Sequence, residues 1–541
     1  MRVLVCNLTR FGDLLQSQPL ITSLRRSGHE VGLLCLENFA SALPLLQDLH
    51  GAWSLPASKL MAALDRDWAS ALDKLKIFAD DVQARFRPDM VVNLTATLSS
   101  RLLCKMLAPT PQAVLGFAVD AEGFGLNNGT WTAFLGGSVM QRQNAPFNIV
   151  DMFRMVPASL YSDEILNAPV SFALRQPDDA ALAHADALLG DVQGLPQGAD
   201  NTSIKGYVAM QPGASAAARQ WPVEQFAALA DILWEKEGLC PVILGSKGEI
   251  PLGEAFAAHA HCPYVQAQGK TDIPQLAAIL TRCRLLVTND TGTMHLAAGL
   301  GVHSLAFFLA TAQPWDTGPY LPDCLCLEPA MSCHPCGFST RCAHENGCLG
   351  QITATGVAQA IRHWLHEHAW QGNDELNRQA RVWLTCEDGN GFALVRCLSD
   401  HGAEDRSRWL MHQRHFWRQF LDVMDGRPVK ALASGAEPCS PAFCESIVPK
   451  LEQAVQILRM LCEQIGIIAK SPMAGNLFLR NCERLQALFD TAPALRSLGF
   501  FWHALRMDLG ANMDQLRDFM EKFSNQLESV QNNMRFGTHI A

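Results

Sequence analysis

Residues 287–301, VTNDTGTMHLAAGLG, hold the clearest chemistry in the chain. An apolar run over residues 283–287 stops at Thr288-Asn289-Asp290. Thr291-Gly292 then leads directly into a small-residue helical pattern carrying His295. At the carboxyl end of a buried strand, the start of the next helix offers unpaired backbone N–H groups and the positive end of its dipole. Gly292 admits a ligand close to the backbone, and Thr291 and Thr293 can donate hydroxyl hydrogen bonds. Together with Asp290 and His295 these residues form a cradle suited to a phosphate or diphosphate. The same residue types also start helices with no ligand present.

Three further loops end apolar runs in the same way. MQPGASAAARQWP (210–222) places Arg219 just before a helix, where it can pair bidentately with a phosphate or lie free in solvent. GSKGE (245–249) offers Lys247 and Glu249 to a ribose or a base, or is a plain glycine-rich turn. NLTRFGDLLQSQP (7–19) brings Arg10, Gly12 and Asp13 to a strand end, where a carboxylate can serve as general base toward a hydroxyl or as a helix cap. None of these loops has the G-x-x-x-x-G-K-[ST] pattern, and the first strand is not followed by G-x-G-x-x-G, which argues against a Rossmann oxidoreductase.

The elements that must position these loops follow from hydrophobic patterning. Short apolar runs near residues 2–8, 30–37, 89–96 and 113–119 alternate with helical patterns. The alternation restarts at 207–213, 240–246, 284–290 and 303–309. Such runs predict parallel sheets covered on both faces, in two Rossmann-like units. The polar stretch 190–206 reads as the linker. Beyond about residue 373 helical periodicity takes over. The expected organisation is an N-terminal unit over 1–190, a second over 206–370 and a helical accessory domain over 373–541.

Together the loops resemble glycosyltransferase family 9, the heptosyltransferase family of lipopolysaccharide core assembly. The pieces RFGDLLQSQPL, MQPGASAAARQWPVEQFAALA, ILGSKGE, GKTDIPQLAAIL and VTNDTGTMHLAAGLG occur in family order across roughly residues 1–365. The resemblance implies a GT-B fold, α/β, with the nucleotide sugar held mainly by the second unit and the acceptor by the first. It implies that Asp13 is the catalytic base. Arg219 stands where the family usually has a lysine that contacts donor phosphate, so the charge is kept and the geometry changed. Glu249 matches the acidic residue that binds ribose. Asp290, Thr291, Gly292 and His295 match the diphosphate signature, and Thr293 lies within it. The implied reaction is an inverting displacement, with a sugar, heptose from ADP-heptose, moving to a lipid-linked, lipopolysaccharide core-type saccharide. No cofactor is required for it. The alternative is an inactive nucleotide-sugar sensor or scaffold whose helical tail binds a partner.

Cys333, Cys336, Cys342 and Cys348 in CHPCGFSTRCAHENGC form a candidate tetrathiolate site for structural zinc or iron, or are reduced thiols on a loop. RWLMHQRHFWRQF (408–420) mixes aromatic and basic residues. It reads either as a surface for the inner face of the cytoplasmic membrane or as a helix packed within its domain. The chain has 541 residues, is 48% hydrophobic and 18% charged, and has a net charge of -10, which points away from nucleic acid. No apolar run is long enough to span a bilayer, no secretory signal is seen, and 18 cysteines without export suggest a reducing cytoplasm. Oligomeric state is not legible.

Overall fold

A computed structural model describes residues 1–194, 204–338, 340–427, 436–468, 472–510 and 512–536, and most of the expected linker lies outside them. The first sheet contains β1 (Arg2–Cys6), β2 (Glu30–Leu36), β3 (Gly51–Leu55), β4 (Met90–Asn93), β5 (Val114–Val119) and β6 (Gly125–Asn128). Its order is β3-β2-β1-β4-β5-β6, parallel throughout except for the β5–β6 pair. Successive residues of β1 enter different cores. Val3 and Val5 pack in one cluster, and Leu4 and Cys6 in another. This is why the strand reads as an unbroken apolar run.

The second sheet adds β7 (Val192–Gln193), β8 (Gly206–Gln211), β9 (Leu239–Ile243), β10 (Tyr264–Gln266), β11 (Cys283–Asn289), β12 (Ser304–Phe307) and β13 (Leu325–Pro329). Its parallel centre runs β10-β9-β8-β11-β12-β13, which repeats the strand order of the first sheet's six. Strand order reverses between β1 and β4 in one unit and between β8 and β11 in the other. In such sheets the crevice for a ligand opens at that reversal. The loops carrying Asp13, Arg219 and Asp290 leave β1, β8 and β11 respectively. The two Rossmann-like units face one another across the cleft between these loops.

The region after residue 373 is not helical from its start. A short helix, Asp374–Gln379, leads into β14 (Ala380–Glu387) and β15 (Ala393–Cys397), which extend the second sheet antiparallel from β13. Val382, Trp383 and Leu384 are buried there, so edge pairing and burial override the surrounding helical texture. Helices Asp405–Met424, Pro441–Ile468, Pro472–Asp490, Arg496–Leu509 and Met513–Phe536 then form the C-terminal helical part. It packs on the first unit. The Asn127 amide donates to Asp508 Oδ2 (3.0 Å), and Trp417 sits between Phe134 and Phe501 with ring centroids 4.9 Å from each.

This packing corrects the membrane-surface reading of residues 408–420. Trp409, Phe416, Trp417 and Phe420 are all buried, as are Arg414 and Arg418. Arg414 pairs with Asp388 at 2.6 Å, and the Arg418 guanidinium lies 3.9 Å from the Phe392 ring centroid. Among the described residues no helix is long and apolar enough to cross a membrane.

Candidate functional site between the two sheets

Asp13 sits on a one-turn helix, Phe11–Leu15, directly after β1. Buried Asn7 holds this turn: its amide donates to the Asp13 carbonyl (3.0 Å) and to Ser17 Oγ (2.8 Å). Across the cleft, helix Gly292–Gly299 begins after β11. The two helix starts touch. A Cβ at Gly12 would lie 2.7 Å from His295 Cδ2 and 3.3 Å from Gly292 Cα. Only glycine permits this approach, so both glycines serve the fit between units.

The 290–295 turn is kept open toward the cleft. Thr291 precedes the helix with extended backbone, and its side chain makes no capping bond, leaving the leading N–H groups without an intrahelical partner. Thr293 is buried, with its hydroxyl 3.4 Å from Gln211 Oε1. His295 is 5% exposed, and its Nδ1 is buried without a hydrogen-bond partner. Burial pushes the imidazole below its usual range, against the opposing pull of Asp290 and Asp13. Burial thus favours the neutral ring, while the charges of both carboxylates act on it.

Arg219 ends a short turn, Ala217–Arg219, and enters the same space. Its Nε and Nη2 donate to Thr311 Oγ1 at 3.1 and 2.6 Å, and its Nη1 lies 3.7 Å from Asp290. Burial lowers its pKa, with Asp290 opposing and the charges of Arg142 and Arg10 adding to the effect. Glu249 closes the other side. Its Oε2 accepts from the Ser246 N–H (2.7 Å) and hydroxyl (2.8 Å), and any Cβ at Gly213 would overlap its carboxylate. Asn289 ties the loops together: its Oδ1 accepts from Trp221 N (2.9 Å), and its amide donates to the Pro212 carbonyl (2.8 Å). Asp13, Arg219, Asp290, Thr291, Gly292, Thr293 and His295 thus gather around one cleft. Glu249 stands beside it on the β8–β9 side.

Sequence reasoning missed the bridge across this cleft. Arg142, from the first unit, pairs with Asp316 of the second. Nε lies 2.6 Å from Oδ2, Nη2 lies 3.1 Å from Oδ1, and Nη2 also donates to Thr317 Oγ1 (2.7 Å). The Gln313 amide donates to the Arg142 carbonyl. Arg142 and Asp316 are 174 residues apart, and neither lies in a recognisable motif, so no local signal marks the pair.

The four cysteines of the candidate metal loop lie near one another, and the other three all act on the Cys336 thiol. Among the described residues no group of three or more His, Cys, Asp or Glu side chains is placed to hold a metal ion. Cys333 and Cys342 are exposed, and Cys342 Sγ accepts from the backbone N–H groups of His344 and Asn346. Cys336 and Cys348 are partly buried, and burial raises both thiols, with the neighbouring cysteines adding to the effect. A structural zinc or iron at these cysteines has no support among the described residues.

Residues 168–346 match the model of Glycosyltransferase family 9 (heptosyltransferase). Over 136 residues the chain is 32% identical to lipooligosaccharide heptosyltransferase 2 of Haemophilus ducreyi, covering 23% of this chain and 39% of that protein. It is 30% identical over 129 residues to lipopolysaccharide heptosyltransferase 2 of Escherichia coli, covering 23% and 34%. The matched stretches span well under half of these curated relatives. A solved glycosyl transferase family 9 structure from Veillonella parvula superposes with a TM-score of 0.52 at 19% identity, covering 68% of this chain and 97% of that one. The fold is GT-B, followed by the C-terminal helical part.

Proposed function

We propose that this chain, similar to glycosyltransferase family 9 over residues 168–346, is an inverting glycosyltransferase. It moves a sugar, heptose from ADP-heptose, onto a lipid-linked saccharide of the lipopolysaccharide core type. The observation that carries the reading is the contact of Gly12 with Gly292 and His295, which sets the Asp13 turn against the 290–295 turn. Asp13 takes the proton of an acceptor hydroxyl as that oxygen attacks the anomeric carbon. The leaving diphosphate gains charge, and Arg219 and the amides of residues 291–293 receive it. Glu249 holds the ribose. In this reading the first unit, 1–190, takes the acceptor, the second, 206–370, takes the donor, and residues 373–541 support them. A heptosyl donor agrees with the names of the curated relatives, and a lipid-linked acceptor places the work at the cytoplasmic face of the membrane.

Thermal unfolding with ADP, UDP, GDP or CDP in excess tests the donor. A ligand at about a hundredfold over its Kd adds about 2.7 kcal/mol to the folded state. The expected result is a rise of a few degrees with ADP, lost in His295→Ala. A rise with UDP alone would keep the fold and replace the donor, and no rise with any of the four would remove the transferase reading. One observation favours the inactive scaffold: Arg219, in place of the family lysine, is already engaged by Thr311 and Asp290. ADP binding with no sugar transfer to any acceptor would favour that reading.

A further inference from the structure

Two arginines lie in the cleft and a third, Arg10, stands on the turn beside it, and they are not equally occupied. Arg142 is held in a bidentate pair by Asp316 and donates to Thr317. Arg219 is held by Thr311 and leans on Asp290. Arg10 is exposed, and among the described residues it forms no ion pair. It precedes the Phe11–Leu15 turn, two residues from Gly12, whose backbone abuts His295 and Gly292. Its charge reaches Arg219 on the opposite unit. Two cations brought by opposite units to one cleft favour an anion between them. His295 Nδ1, buried and without a partner, borders the same space.

We propose that Arg10, supplied by the acceptor-side unit, is the cation that meets the terminal phosphate of the donor's diphosphate. The inference rests on the donor reading above and adds a residue to it. Arg219 and the 291–293 amides approach the diphosphate from the donor side, and Arg10 closes it from the other. Arg10 and Asp13 share one helical turn, so the group that holds the leaving phosphate also sets the base. As the sugar–oxygen bond breaks, its electron pair goes to the β-phosphate oxygen, and Arg10 receives the developing charge. The acceptor hydroxyl proton goes to Asp13.

The test is binding of ADP and of AMP to the full chain by titration calorimetry, in wild type, Arg10→Ala, Arg10→Lys and His295→Ala. A charge-assisted hydrogen bond to phosphate predicts that Arg10→Ala weakens ADP about tenfold or more. AMP, which lacks the second phosphate, should change less than about twofold on the same argument. Arg10→Lys should fall between wild type and Arg10→Ala for ADP. A side chain this exposed leaves the thermal midpoint of the free protein unmoved, so a loss specific to ADP reports the contact itself. ADP binding unchanged in Arg10→Ala, or ADP and AMP weakened alike, would overturn the inference. In that case, loss of ADP in His295→Ala would leave the donor reading standing. If wild type binds neither ADP nor UDP, GDP or CDP, both fall together.

Discussion

In the proposed reaction Asp13 and the 290–295 turn do different jobs, and substitutions should separate them. Asp13→Asn keeps the shape and removes the proposed base. It is expected to lower kcat by about 10²–10⁴-fold while leaving ADP affinity near that of wild type. Steady-state transfer rates alongside ADP titration check this, and an Asn variant with wild-type turnover would displace Asp13 from its role. At this scale much of the site was legible. Asp290, Thr291, Gly292 and His295 announce themselves because an apolar run, small residues and a helix start must be adjacent in sequence to make the cradle. Arg142, Asp316 and Thr311 gave no such sign, because each acquires its meaning only from a partner on another loop.

At the scale of elements, helix Asp405–Met424 carries residues 408–420 into the interior between the first unit and the later helices. Its aromatic residues face protein, and Arg414 and Arg418 are buried beside them. Trp417 sits between Phe134 on the first unit's helix Thr130–Met140 and Phe501 on helix Arg496–Leu509. Its indole Nε1 makes no hydrogen bond, so truncation removes packing alone. Trp417→Ala should cost about 3–5 kcal/mol, measured by denaturant unfolding. A loss below about 1 kcal/mol would mean that the helical part is not docked on the first unit through this residue. Composition could not choose between a lipid-facing and a protein-facing aromatic face, since both use the same residue types. Strand β14 was missed for a related reason: it gains its pairing from β13, more than fifty residues earlier in the chain, and β15 then pairs with β14.

At the scale of the whole molecule, the helical part, the first unit and the β14–β15 hairpin meet around buried Asp151. Tyr320 donates to its Oδ1 (2.7 Å), and the Ala393 N–H donates to its Oδ2 (3.0 Å). Burial pushes this carboxyl up to about 7, against the downward pull of Tyr320 and Arg414. Between the ordinary carboxylate value and about pH 7 the unfolded chain releases a proton that the native state keeps. This junction therefore loses stability as pH rises through that window, and the deficit persists above it. Asp151→Asn should gain on wild type over the same interval, by on the order of 2–4 kcal/mol between pH 4 and 8. Contributions of opposite slope, such as buried His334, held down to about 4, are common to both proteins and cancel in the difference. Unfolding free energies at a series of pH values check this, and a flat difference would place the proton elsewhere. The sequence by itself determined the two alternating α/β units and the loops that end their strands, because local periodicity and strand-end chemistry are properties of neighbouring residues. Only the tertiary structure decided that Gly12 meets His295 and that Arg142 bridges to Asp316. Those outcomes depend on distances between segments far apart in the chain, which packing sets and sequence spacing does not.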